Sequence, residues 1–117
     1  MNSSTDVSSL LRLMSASSLR AKVLAGNVAN QNVPGFKRRD VEFESLLQTA
    51  LNRSSEFSEV EAEIRVDTES PSRPDGNNVV IENEVSAMQE NRMLFELYAG
   101  ILSSRMRTMN IAINGDR

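Results

Sequence analysis

Apolar residues fall into two long periodic runs, one at each end of the chain, with a stretch of mixed pattern between them. In the first run Val7, Leu10, Met14, Ser17, Ala21, Leu24 and Val28 alternate three- and four-residue steps. That alternation is a coiled-coil seam and predicts a helix from about Thr5 to about Asn32. Leu11, Ser18 and Ala25 form a second row beside it, and Leu13, Arg20 and Val23 lie further round. Ser17, Ser18 and Ala21 are small where a seam usually holds Leu, so a neighbouring helix can come close there. Ser4 and Thr5 are candidate caps for the start. Val33-Pro34-Gly35 ends the helix, because Pro34 disfavours helical geometry at Val33 and has no N–H to donate. Gly35 tolerates positive φ, which suits a type II turn.

The second run spans about Val79 to about Ile113, roughly 50 Å of helix at 1.5 Å per residue. Ile81, Met88, Phe95, Leu102 and Met109 repeat every seven residues. Val85, Ala99, Met106 and Ile113 complete that seam, with Arg92 as its charged member, while Leu94, Leu97, Ile101 and Ile111 form a second row. Two apolar rows on one helix imply more than one neighbour. Glu82, Glu84, Glu90 and Glu96 precede Arg105 and Arg107, the order that suits the helix dipole. Asn114-Gly115 supplies a stop.

Between the runs, Ser45 to Asn52 suits a short helix. Val60, Ala62, Ile64 and Val66 alternate with Glu59, Glu61, Glu63 and Arg65, which predicts one half-buried strand. A strand needs a partner, in the same chain or on a neighbour. Residues 70–77 (SPSRPDGN) read as a loop. The expected fold is mainly α: long N- and C-terminal helices forming an antiparallel coiled-coil pair, with an irregular middle. Residues 1–35 form the N-terminal helix and turn, 36–76 the middle and 77–117 the C-terminal helix of one domain.

Composition narrows the chemistry. The 117-residue chain holds no Cys, His or Trp, and aromatics are only 4%, so large rings contribute little burial. Thiolate and imidazole metal sites and Cys-His or Ser-His pairs are excluded. No catalytic residue, metal or cofactor is expected. Glu42 and Glu44, or Glu59, Glu61 and Glu63, read as the wet side of a polar segment rather than an acid–base pair. Lys37-Arg38-Arg39 reads as a solvated charged turn, and nucleic acid is not an expected partner. No run approaches the roughly 20 apolar residues that span a bilayer, and the N-terminus lacks the layout of a cleaved signal peptide. The stripes alone fit either the core of a small bundle or a surface completed by other chains.

The run Asn27-Val-Ala-Asn-Gln-Asn-Val-Pro-Gly-Phe-Lys37 resembles the N-terminal signature of bacterial flagellar rod and hook proteins, through Asn27, Ala29, Asn30, Pro34, Gly35 and Phe36. Arg39, Asp40, Phe43 and Leu46 resemble its continuation in basal-body rod proteins of the proximal type. Asp75-Gly76-Asn77-Asn78-Val79, then Glu82, Glu84, Asn91, Leu94 and Phe95, resemble the C-terminal helix of that type and its lead-in. Phe36 and Phe95 stand where Tyr is frequent, and residues 48–74 match nothing in the family. The resemblance implies a structural subunit at the proximal end of the rod, assembling helically to transmit torque. Implied partners are further copies, neighbouring rod proteins, membrane-ring and ring-to-rod adaptor proteins, and the flagellar type III export apparatus. It implies a periplasmic rod location reached without a cleaved signal peptide. The assembly seam would then be Val7, Leu10, Met14, Leu24, Val28, Ile81, Val85, Met88, Phe95, Leu102, Met106 and Met109. Asn27, Asn30, Pro34, Gly35 and Phe36 would define the turn. A coiled-coil adaptor or chaperone-like binding protein of a secretion system is the alternative.

Overall fold

A computed structural model describes residues 3–42, 45, 48 and 62–115. Helix α1 runs Ser3–Ala29, strand β1 Arg39–Glu42, strand β2 Glu63–Val66 and helix α2 Ile81–Asn114. The two helices pack antiparallel, as expected. Ser17 of α1 bonds Asn91 of α2, and Asn27 near the end of α1 bonds Glu84 near the start of α2. The short helix expected over Ser45 to Asn52 lies outside the described residues, apart from Ser45 and Gln48.

Helix limits differ from the periodicity by one to three residues. Helix α1 is already formed at Ser3, so Ser4 and Thr5 lie inside it rather than capping it. It stops at Ala29, short of Asn32, because the chain turns at once: Asn30 Nδ2 donates to the Gly26 carbonyl at 2.8 Å. Phe36 N then donates to Val33 O at 3.2 Å across Pro34 and Gly35. With φ of 75° at Gly35, this is the expected type II turn. At the far end Gly115 has φ −68°, so no left-handed cap closes α2.

On α2 the face turned to α1 is not the apolar stripe, whereas on α1 the two share Leu10, Ser17 and Leu24. On α1 the buried positions are Leu10, Leu13, Ala16, Ser17, Leu24 and Asn27. On α2 they are Glu84, Asn91 and Tyr98, with Leu94 and Leu102 packed at the edge. Each of the three is one position before Val85, Arg92 and Ala99, a turn of about 100° about the axis. Leu10, Leu13, Ala16 and Tyr98 form the apolar core. Leu24 is fully buried, worth about 1.5–3 kcal/mol in removed apolar surface.

The expected strand exists, and its partner lies in the same chain. β2 pairs antiparallel with β1, Val41 opposite Ile64 and Arg39 opposite Val66. Val41 is buried, but Ile64 and Val66 stay about half exposed, so β2 is not the half-buried strand that alternation predicted. Nothing among the described residues covers it as α1 covers Val41.

Candidate assembly interface

At the closed end of the helix pair, two glycine turns lie against each other. Gly76 has φ 87°, and a Cβ there would sit 3.2 Å from Gly35 Cα. Gly35 N donates to Asp75 O at 2.8 Å, and Gly76 N to Arg73 O at 2.8 Å. The two turns therefore dock backbone to backbone, which only a residue without a side chain permits at Gly76.

Buried asparagine amides tie this junction together. Asn27 reads the backbone of Arg39 at two points: its Nδ2 donates to Arg39 O at 2.7 Å and its Oδ1 accepts from Arg39 N at 2.9 Å. Asn77 Nδ2 donates to the carbonyls of Asn30 and Val33 at 3.0 and 2.8 Å, while its Oδ1 accepts from Val79 N. Asn78 Oδ1 accepts from Arg38 N at 2.6 Å, and its Nδ2 donates to Asp67 O at 2.8 Å. An amide suits each place because it donates and accepts at once. Leaving any of these groups without its partner would cost about 1–3 kcal/mol. Arg73 adds bonds to the carbonyls of Val79 and Gln31, and Lys37 to Gly76 O at 2.6 Å.

Arg38 is the electrostatic centre, which corrects its reading as part of a solvated turn. Its Nε donates to Glu84 Oε1 at 2.5 Å, and its other nitrogens reach Asp40 and Asp67 at 3.3 and 3.5 Å. The Glu84 bond holds the guanidinium charged beyond its ordinary range, against the pull of burial. Arg20 of α1 pairs with Asp40 at 3.0 Å, so the network reaches the first helix. Nearby, Asp67 accepts from the Ser70 hydroxyl, Ser70 N and Glu69 N, at 2.6, 3.0 and 3.0 Å. The Ser70 bonds lead in lowering its carboxyl from 3.8 to about 2.

Further along the pair, Ser17 Oγ donates to Asn91 Oδ1 at 2.8 Å and Asn91 Nδ2 returns to Ser17 O at 2.8 Å. This fixes the register of the helices, because sliding either one breaks both bonds.

The structure divides the expected seam. Leu10 and Leu24 are buried between the chain's own helices. Val7, Met14, Val28, Ile81 and Leu102 are half-buried, and Val85, Met88, Phe95, Met106 and Met109 remain exposed. Arg92, the charged seam position, points to solvent and pairs with Glu96 at 3.4 Å. Of the turn residues, Asn27, Asn30, Gly35 and Phe36 enter the junction, while Pro34 shapes the turn from its exposed side. Periodicity missed Arg38, Glu84, Asn77, Asn78 and Asn91 as buried contacts, since it counts only apolar residues. Asn77, Asn78, Glu84 and Asn91 were signalled only by the resemblance they carry, and Arg38 only by the motif residues on either side of it.

Beside the Ser17–Asn91 contact lies an open, largely apolar groove of about 550 Å³, with Ser17, Ser18 and Ala21 on one side and Val85, Met88 and Phe95, joined by Gln89 and Arg92, on the other. Among the described residues no group of three or more acids is placed to hold a metal, and no helix is long and apolar enough to cross a membrane. The geometry is that of a scaffold: one end closed by polar bonds, apolar faces left outside.

No family model matches the chain. Individual proteins do. It is 31% identical to the flagellar basal body rod protein FlgB of Borrelia hermsii, over 87% of this chain and 90% of that protein. It is 34% identical to FlgB of Aquifex aeolicus over 82% of both chains. FlgB of Escherichia coli aligns at 26% identity over 83% of this chain and 85% of that protein. With identity at this level across most of both partners' length, the chain belongs to the FlgB family of flagellar basal body rod proteins.

Proposed function

We propose that this chain is a structural subunit at the proximal end of the flagellar rod, where copies pack helically into a torque-bearing tube. The observation that carries the reading is the exposed apolar face of α2. Val85, Met88, Phe95, Met106 and Met109 stay on the surface after the chain has satisfied its own polar junction. Apolar surface of this kind is stabilised by cover, at about 25 cal/mol per Å² removed from water. Further copies, neighbouring rod proteins and the ring-to-rod adaptors would supply that cover. The reading places the chain in the periplasmic rod, delivered through the flagellar export apparatus without a cleaved signal peptide, and assigns it no reaction. Family membership does not favour the adaptor alternative.

Deleting the gene for this chain in its own host tests the reading. The expected result is non-swimming cells whose basal bodies stop at the membrane ring, with swimming restored by the chain supplied in trans. Complete rods in the deletion strain would overturn the proposal.

A further inference from the structure

We infer that the open edge of β2, with the groove between β2 and α1, takes an extended acidic segment of a different protein as a third strand. This deepens the rod reading and rests on it for the place where the two molecules meet.

The strand register shows which backbone groups are left over. Asp67 N donates to Arg38 O at 2.8 Å. Bonding pairs alternate along an antiparallel ladder, so Asp40 with Arg65 and Glu42 with Glu63 are the next ones. The amides and carbonyls of Arg39, Ile64 and Val66 therefore point out of the sheet. On the β1 side, those of Arg39 are taken by Asn27. On the β2 side, those of Ile64 and Val66 meet no partner among the described residues. Such an edge is a template for one more strand, held by main-chain bonds.

The side chains beside that edge select the kind of strand. A second groove, of about 340 Å³, is lined by Lys22, Val23 and Gly26 of α1 and by Phe36, Arg39 and Ile64. Both of its charged side chains are exposed cations, and no acid among the described residues lines it. Neither Lys22 nor Arg39 forms an ion pair among the described residues, whereas the adjacent Arg38 holds three carboxylates. A segment with an apolar side chain over Ile64 and a carboxylate for the two cations matches the groove in shape and charge. The acids on this chain's own strands are already engaged, Glu42 and Glu63 with Arg65 and Asp40 with Arg20 and Arg38. The strands of a second copy therefore do not supply that carboxylate.

Gly26 adds an independent observation. Unlike Gly35 and Gly76 it has no positive φ, and a Cβ on it would meet nothing within 4 Å. Neither the backbone nor the packing of the described chain calls for glycine there, and glycine weakens a helix. What the missing side chain provides is room in the groove, where a second main chain can approach closely.

Carbodiimide coupling reads the contact in the wild-type chain, by joining a lysine amine to a touching carboxylate as an amide. Lys22 and Lys37 are the chain's only lysines, so the links are readily assigned by mass spectrometry. Wild-type basal bodies are treated once an immunoblot has shown that they contain the chain. The expected result is a link from Lys22 to an Asp or Glu of a different protein, absent with K22R. K22E/R39E should stop swimming, and changing the linked carboxylate to Lys should restore it. A link from Lys22 to its own chain or to another copy, no Lys22 link in basal bodies that hold the chain, or failure of the charge swap would each overturn the inference. Absence of the wild-type chain from basal bodies would instead sink the rod reading and this inference with it. Two variants then separate docking from folding. G26L fills the groove and meets nothing within the chain, and I64P removes an outward N–H but no bond to β1. Purified G26L should melt no lower than wild type while swimming falls at least tenfold, and I64P should lose swimming likewise. Normal swimming with either would overturn the inference.

Discussion

The two ends of the helix pair solve opposite problems. At the closed end, where α1 turns back toward α2, the interior is polar: Asn27, Asn77, Asn78 and Glu84 are all buried, and each has its bonds made within the chain. At the open end the surface is apolar, with Met106, Met109, Ile111 and Ile113 exposed on α2. Directional bonds at one end fix a single geometry, since a buried amide is costly in any other. Non-directional apolar surface at the other end suits partners that vary. The chain thus specifies its own shape where it is alone and leaves its capacity for burial where it meets others. Substitutions at the two ends should separate these roles.

The largest effect on the isolated chain is expected at Glu84, which is 1% exposed and bonded by Arg38 and Asn27. Glu84→Ala leaves a partly buried guanidinium with only its longer contacts to Asp40 and Asp67. Breaking such a pair costs about 3–5 kcal/mol, and the lower end applies because Arg38 keeps 20% of its side chain in water. Urea unfolding followed by circular dichroism should show that loss, with Glu84→Gln losing less because it keeps the volume and an acceptor. Equal stability of Glu84→Ala and wild type would break the claim that the closed end is held by its polar network.

Gly76→Ala should rank next. It places a side chain at φ 87°, costing about 1–2 kcal/mol, and drives a Cβ to 3.2 Å from Gly35 Cα. Gly35→Ala pays only the conformational cost at φ 75°, because nothing lies within 4 Å of its Cβ position. The gap in melting temperature between the two variants therefore measures the turn-on-turn packing directly. A gap of zero would mean the turns do not touch in solution.

A smaller effect sharpens the same end by pH. The Asp67 carboxyl is lowered to about 2 from 3.8. The sign follows: its contribution is present in full above about pH 4 and disappears as pH falls through about 2. Asp67→Asn should lower the urea midpoint at pH 7 and merge with wild type near pH 2. The comparison isolates this residue from the other carboxylates, which titrate alike in both proteins.

How far the fold was legible depends on what holds each part. Both long helices follow from apolar period, and the type II turn follows from Pro34-Gly35, since those signals act within a few residues. On α2 the internal face lies one position before the apolar seam because Glu84 and Asn91 occupy it, and a count of apolar residues passes over them, while on α1 the seam positions Leu10, Ser17 and Leu24 are themselves internal. Strand β1 was invisible in Arg39-Asp40-Val41-Glu42, where one apolar residue sits among charges. Its pairing with β2 is enforced from outside, by Asn27 gripping Arg39 and Asn78 bridging Arg38 to Asp67. Arg38 looked solvated among charged neighbours, and only the long-range meeting with Glu84 gives it an interior role.

The smallest effect on the isolated chain is expected at the open end, and it is the more telling result. Met106→Ser with Met109→Ser removes two thioethers that are 54% and 38% exposed, so little burial within the chain is lost. The unfolding free energy of the purified double variant should stay within about 0.5 kcal/mol of wild type, the range of ordinary surface changes. Swimming in soft agar should nonetheless fall sharply, because the surface lost is what another molecule covers. Glu84→Gln supplies the contrast, since it weakens the chain while leaving that surface intact. Cells that swim normally with both Met residues gone would show that the open end carries no partner, and the division between a self-sufficient end and an assembling end would fail.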